Sequence, residues 1–242
     1  MAPEFAFPPI GIIHSCFKEK FGIPRQAGLV SRASASLEVL PPYDREEAFR
    51  GLEEFSHIWV TFVFHASIRE HWKPTVRPPR LGGNRQVGVF ASRSPFRPNP
   101  LGLSAVALTG MRRERGRLLL ELEGGDFLDQ TPVLDIKPYL PYADCIEHAH
   151  GGYAAEAPSV HHQVCFSAQA LEACRRHEQR LGVDLQGFIR QLLAYDPRPA
   201  YKSSASNEHT FAMKLFDFDL KWQIEGDRVQ VVELRGLTKG QA

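Results

Sequence analysis

The sequence predicts a mainly β fold: a barrel-like first unit followed by a small α+β unit. Two observations carry this reading. Up to about residue 140 the chain runs in short β-branched or aromatic segments separated by Pro- and Gly-rich connections. Beyond about residue 160 two capped amphipathic segments and a hairpin pattern follow.

In chain order, Pro8–His14 reads as a first strand and 18–28 as a polar, Gly- and Pro-punctuated loop. Ser36–Leu40 reads as a short strand. Asp44 is placed to cap a helix with Glu46 and Glu47 in its first turn and Gly51 limiting its length. His57–His65 is almost continuously apolar, which predicts a strand buried on both faces. Residues 66–86, interrupted by Pro74, Pro78, Pro79 and Gly82-Gly83, predict a long loop, a length usually tied to function or disorder. Val87–Ala91 reads as a strand, then Ser92–Pro100 breaks it. Leu101–Met111 and Arg117–Leu122 form a strand pair, and Pro132–Lys137 another strand. Ser167 and Asp184 are placed to cap two helices, the second presenting Phe188, Ile189, Leu192 and Leu193 on one face. In 210–224 the apolar phase slips by one residue at Leu215/Phe216, which reads as a bulge, and Glu225-Gly-Asp227 turns the chain into a last strand. The predicted domains are 1–145 and 160–236, with 146–159 as linker.

The chain has 242 residues, is 43% hydrophobic and 24% charged, and carries a net charge of +1, the balance of an ordinary globular protein. No apolar run is long enough for a membrane span. No signal peptide is read at the N-terminus. The four cysteines are scattered, so reduced thiols and a cytoplasmic location are expected. The paired histidines 148/150 and 161/162 have no partner at ligand spacing, so no metal is expected.

The charge distribution is uneven. Arg69, Lys73, Arg77, Arg80, Arg85, Arg93 and Arg97 face a single acid, Glu70, within residues 69–97. Such a segment reads either as a phosphate-binding patch or as a solvated loop. Within it, Ser92-Arg93-Ser94-Pro95-Phe96-Arg97-Pro98-Asn99-Pro100 carries three prolines that forbid helix and two guanidinium forks four residues apart. Taken alone it is an anion clamp or a stiff surface turn. No Gly-x-Gly-x-x-Gly, P-loop or Gly-x-Ser-x-Gly is present, which disfavours dinucleotide, NTPase and serine-hydrolase chemistry.

Residues 10–26, Phe55–Trp59, Arg77–Gly83, Val87–Gly102 and Thr131–Tyr139, continued by Asp196–Tyr201 and Asp217–Trp222, resemble the TsaA/TrmO family. The resemblance implies a non-Rossmann, β-barrel cofactor-binding domain, usually in a homodimer, and an S-adenosyl-L-methionine-dependent tRNA methyltransferase. The implied acceptor is N6 of threonylcarbamoyladenosine beside the anticodon. It further implies cofactor contacts at Pro24, Arg25, Gln26, Phe64, His65, Arg93, Leu103, Glu123, Gly124, Gly125 and Asp126. Gln130 stands where the family usually has glycine. Since the N6 nitrogen is a poor nucleophile, a base or polarising group is expected near it, with Asp135, Lys137 and His65 as candidates. Arg77, Arg80, Phe96, Arg97 and Asn99 are candidates for tRNA contacts in the anticodon loop, and the C-terminal unit either extends that footprint through Arg198, Lys202 and Lys221 or stabilises the dimer. Two other functions fit the same residues: a non-catalytic RNA-binding module, and a methyltransferase with a different acceptor.

Overall fold

The structure, a computed structural model, describes residues 4–197 and 210–237. The first unit contains β1 (Gly11–Ser15), β2 (Ser34–Val39), β3 (His57–Val63), the two-residue strands β4 (Thr75–Val76) and β5 (Val87–Gly88), then β6 (Leu101–Glu114), β7 (Arg117–Glu123) and β8 (Thr131–Pro138). Six of these close into an antiparallel barrel in the order β1-β2-β7-β6-β3-β8. Closure leaves no free strand edge, so every ladder is paired on both sides.

The barrel core is filled from alternate positions. Ile13, Leu37, Ile58, Val60, Phe62, Leu120, Leu122 and Val133 all point inward and are buried. The expectation that β3 is buried on both faces is wrong. Ile58, Val60 and Phe62 fill the interior, whereas Trp59, Thr61 and Val63 face outward and are half-exposed. A closed barrel gives each strand one wet side, and β3 covers its own with a tryptophan rather than with charges.

Two other expectations fail locally. Asp44 caps no helix: residues 46–49 and 52–54 form two 3-10 turns, Arg45 precedes the first without a side-chain cap, and Gly51 at φ 86° separates them. The backbone carbonyl of Asp44 instead accepts from the Arg113 guanidinium at 2.8 Å. The strand expected over Val87–Ala91 stops at Gly88, because the Ser92 amide and hydroxyl both return to the Val89 carbonyl, at 3.2 and 2.8 Å, and fold 89–91 into a turn.

After a short helix α1 (Pro141–Asp144), the second unit holds β9 (Gln163–Phe166), α2 (Ala168–Leu181), α3 (Leu185–Ala194), β10 (Phe211–Leu215), β11 (Phe218–Glu225) and β12 (Arg228–Gly236). Ser167 and Asp184 cap α2 and α3 as expected, accepting from the amides of Ala170 and Gly187. Phe188, Ile189, Leu192 and Leu193 are buried. The sheet runs β10-β11-β12-β9, with β9 parallel to β12, so it is larger than the expected hairpin. The phase slip at Leu215/Phe216 is a reversal rather than a bulge: Leu215 pairs with Phe218, and Phe216 takes φ 51° between them. A genuine irregularity lies at Lys221/Trp222. Burial pushes the thiols of Cys16 and Cys174 up to about 12, so neither is a reactive thiolate.

The two units share a core. Cys16, Phe17, Val30 and Ala33, from the connection between β1 and β2, are buried in the second unit's hydrophobic cluster together with Leu215, Phe218 and Trp222. The Phe17 ring lies 5.9 Å from that of Phe188, and Phe21 stacks on Trp222 at 6.0 Å. The Phe216 amide donates to the Cys16 carbonyl at 2.8 Å. Gln130, in the position the family gives to glycine, sits at φ 63°, a left-handed conformation that costs a side-chain-bearing residue about 1–2 kcal/mol.

Candidate active site

Strand direction decides where the long connections emerge. Ser15 ends β1 beside the start of β2, Ser34 opens β2 opposite Glu123 at the end of β7, Val63 ends β3 opposite Leu101 at the start of β6, and Thr131 opens β8 opposite Ile13. Segments 16–33, 64–100 and 124–130 therefore leave the barrel at one rim. The opposite rim carries the tight 115–116 turn and the two 3-10 turns. A rigid scaffold with its long loops gathered at one end is the usual placement of a site.

At that rim three loops converge. Arg93 Nη1 donates to Gln26 Oε1 at 2.5 Å, joining the Pro/Arg loop to the β1–β2 connection. The Gly28 amide donates to the Gly124 carbonyl, and the Gly124 amide to the Ala33 carbonyl, at 2.8 and 2.9 Å, joining that connection to the β7–β8 loop. Gly124 takes φ 74°, which glycine adopts freely. Next to it, Asp126 accepts from Ser104 Oγ at 2.7 Å. Burial raises the Asp126 carboxyl above its ordinary value. The Ser104 hydroxyl, the backbone N–H groups of Asp126 and Ala27 and the positive charge of Arg93 oppose that rise without cancelling it. The result is a desolvated carboxylate facing one guanidinium, a site matched to a small ligand carrying both a cation and an anion.

The Pro/Arg loop is braced from within. With three prolines withdrawing backbone donors, serine hydroxyls accept instead: Ser92 Oγ from the Ser94 amide at 3.3 Å and Ser94 Oγ from the Phe96 amide at 3.2 Å. Arg97 closes it by donating to the Ser92 carbonyl at 3.2 Å. Arg69 lies over the Phe96 ring, 3.7 Å from its centroid.

Beside this rim opens a cleft of about 1500 Å³, walled by the β1–β2 connection, the 64–100 segment, residues 151–161 and the end of α3. Pro24, Arg25, Gln26, Arg77, Arg80, Arg93, Phe96 and Arg97, all expected from the sequence, line it. Arg80 also bonds the Glu156 carbonyl, tying the cleft to the 151–161 segment. Phe64 and His65 sit at the same rim: Phe64 packs edge-on against Phe62 at 5.0 Å, and His65 Nδ1 lies 3.5 Å from Thr131 Oγ1. Gly125 is packed so closely that a Cβ there would meet the Phe127 ring at 2.6 Å. Glu123 closes β7, exposed and paired with Ser34.

Other expected residues lie elsewhere. Leu103, Asp135 and Lys137 point away from the barrel interior: Leu103 pairs with Thr61, Thr61 with Asp135, and Trp59 with Lys137, in a row across the outer wall. Asp135 and Lys137 pair with each other there. Asn99 is exposed outside the cleft lining, its carbonyl taken by the Leu101 amide at 2.7 Å. Lys221 is paired with Glu233 at 2.7 Å, and Arg198 and Lys202 fall outside the described residues. Arg69 and Lys73, part of the basic segment read as a phosphate-binding patch or a solvated loop, also line the cleft, and so do Trp72, Phe90 and Tyr153, which were not anticipated. The signal was available, since two large aromatics in a Lys/Arg/Pro-rich loop have no strand or helix to pack against. Among the described residues no three His, Cys, Asp or Glu side chains are grouped to hold a metal, and no helix is long and apolar enough to cross a membrane.

Comparisons with known proteins converge. The family described as tRNA-methyltransferase O N-terminal domain matches residues 12–145, and the TrmO C-terminal domain matches 159–237. The chain is 46% identical over 231 residues to a tRNA (adenine(37)-N6)-methyltransferase of Escherichia coli K12, covering 96% of this chain and 98% of that one. It is 47% identical over 229 residues to a putative S-adenosylmethionine-dependent methyltransferase of Pseudomonas aeruginosa, covering 94% and 96%. A crystal structure of TrmO from Pseudomonas aeruginosa superposes with a TM-score of 0.82 at 40% identity, covering 98% of this chain and 100% of that one.

The raised Asp126 carboxyl has a pH signature. Its folded pKa lies above its unfolded one, so as pH climbs from about 3.9 the unfolded chain releases this proton first, and stability is lost until the folded group has also ionised. In thermal unfolding across the acid range, Asp126→Asn therefore gains on the parent as pH rises through that window. A constant difference between the two curves would contradict the assignment.

Proposed function

The chain belongs to the tRNA-methyltransferase O family, and we propose that it methylates N6 of adenine 37 in tRNA from S-adenosyl-L-methionine, on the threonylcarbamoyl form of that base beside the anticodon. The observation that carries the reading is the convergence of Gln26, Arg93 and Asp126, from three loops of one rim, next to a basic cleft.

The residues present fit the donor. A desolvated carboxylate beside a single guanidinium matches a molecule with an ammonium, a carboxylate and a sulfonium. S-adenosyl-L-methionine, when bound, supplies the electrophilic methyl carbon. Asp126 holds positive charge, Arg93 holds the carboxylate, and Gln26 keeps the Arg93 fork aimed. The Gly124-Gly125 turn positions Asp126, with Gly125 packed against the Phe127 ring, while Phe64 covers apolar atoms. His65, at the same rim and within reach of Thr131, is the proposed acceptor for the proton that leaves N6. Asp135 and Lys137 lie on the outer barrel wall, away from the loop rim, which leaves His65, at that rim beside the cleft, as the base candidate. Most of the acceleration then comes from positioning donor and acceptor. Arg77 and Arg80 hold phosphates along the cleft. A cytoplasmic location follows from this substrate and is proposed with it.

We further propose a homodimer formed across the outer wall of β6, β3 and β8. Leu101 and Leu103 are 43% and 58% exposed there, beside the Asp135–Lys137 pair. This would bury the two leucines and cover the Asp135–Lys137 pair. Under this reading, sedimentation finds a dimer that Leu103→Glu converts to a folded monomer; a dimer unaffected by that change places the interface elsewhere.

Donor and acceptor binding are expected to separate by mutation. Arg93→Ala should raise the Kd for S-adenosyl-L-methionine about tenfold or more, with tRNA affinity nearly unchanged. Arg80→Ala should spare donor affinity, weaken tRNA binding and lower its salt slope by about one. Calorimetry and filter binding measure both. No donor binding to the unaltered protein would rule out the enzyme and favour an RNA-binding module, and transfer to another nucleoside would correct the acceptor.

A further inference from the structure

The small β4–β5 hairpin has no core of its own, yet it holds two aromatic rings at a fixed separation. Thr75 pairs with Gly88 and Val76 with Val87, and the Val89 amide extends the ladder to the Pro74 carbonyl at 2.9 Å. Trp72 lies just before this ladder and Phe90 just after it. Their ring centroids are 6.4 Å apart at 41°, tilted so that the rings do not cover each other. Phe90 is 73% exposed and Trp72 51% exposed, both on the cleft. The Arg97 guanidinium stands 6.0 Å over the Phe90 ring.

Large apolar rings left in water need a partner. Two occupants compete, a second copy of this chain or the nucleic acid. Charge decides between them. The same cleft is lined by Arg25, Arg69, Lys73, Arg77, Arg80 and Arg93 against the acids Glu70, Glu156 and Asp196. An isologous contact between two such faces would bring like charges together. A polyanion bearing unpaired bases meets both features at once, because every base has a π-face and its backbone matches the arginines.

We propose that Trp72 and Phe90 form a stacking platform for an unpaired base of the anticodon loop, flanking the base that is methylated. The proposal rests on the tRNA methyltransferase reading. It adds the stacking subsite, on residues outside the donor site. The hairpin register fixes the ring spacing, and Arg97, braced to the Ser92 carbonyl, links the platform to the loop that carries Arg93.

The test uses the full chain and an anticodon stem–loop RNA. Trp59→Phe leaves Trp72 as the exposed indole, since Trp222 is fully buried. RNA should quench Trp72 emission with the same isotherm as binding, and S-adenosyl-L-methionine alone should not. Trp72→Ala and Phe90→Ala should each weaken RNA binding by about tenfold to a hundredfold without changing its salt slope or donor affinity, and Trp72→Phe should restore most of the loss. RNA binding unaltered in Trp72→Ala, or emission that follows protein concentration and ignores RNA, would overturn the platform while leaving the enzyme reading intact. Loss of methyl transfer by the unaltered chain would instead remove the reading on which it rests.

Discussion

The insertion of the β1–β2 connection into the second unit's core is the constraint on which the site depends. A surface loop of this length carrying Pro24, Arg25 and Gln26 would ordinarily sample many conformations, and ordering it costs about 1–2 kcal/mol per residue in backbone entropy. Here folding already bears that cost. Phe17, Val30 and Ala33 are buried among Leu215, Phe218 and Trp222, and Gly22 lies so close to Met213 that a Cβ would meet its sulfur at 2.6 Å. A polar contact reinforces the seat, with Gln191 Oε1 accepting from the Arg32 amide at 3.2 Å, while Lys18 ties the same connection to the barrel's 124–130 loop through Asp129 at 2.8 Å. The second unit thus shapes the loop that carries Pro24, Arg25 and Gln26, three of the residues proposed to meet the donor.

That arrangement explains why barrel and cleft cooperate. The barrel fixes Ser104, and through it Asp126, on a closed sheet with no edges to fray. The Pro/Arg loop reaches from the same rim to Gln26, so the guanidinium expected to meet the donor is held from both sides. In the sequence this loop was either an anion clamp or a stiff turn, and its two arginines in fact differ in employment. Arg93 joins loops across the rim, whereas Arg97 spends one donor on the loop's own backbone and stands near Phe90.

Strand content, the caps at Ser167 and Asp184 and the buried face of α3 were legible because each follows from local chemistry: alternation, a hydroxyl or carboxylate before a helix, an apolar stripe. The left-handed conformation of Gln130 was signalled only by the family resemblance, in which glycine usually holds that position. What escaped the sequence was set by distant partners. Whether β3 is wet on one side depends on barrel closure. The reversal at Phe216 imitates a bulge because both shift apolar phase by one residue. Strand β9 is short and, among the described residues, pairs with β12 alone. Asp135 and Lys137 sit on a predicted strand, but which wall they occupy depends on the register with Thr61 and Trp59. The shared core could not be read at all, since Phe17 and Trp222 are far apart in sequence and only packing joins them.

Hydrogen exchange by mass spectrometry or NMR on the donor-free protein addresses the central claim most directly. If the second unit pre-forms the donor loop, the amides of Phe17, Gly28 and Ala33 exchange as slowly as those of β10–β12, and donor adds protection only around Gln26–Ala27 and Gly124–Asp126. Rapid exchange across 16–33, comparable to that of the exposed 143–159 segment and slowed only when donor binds, would contradict it.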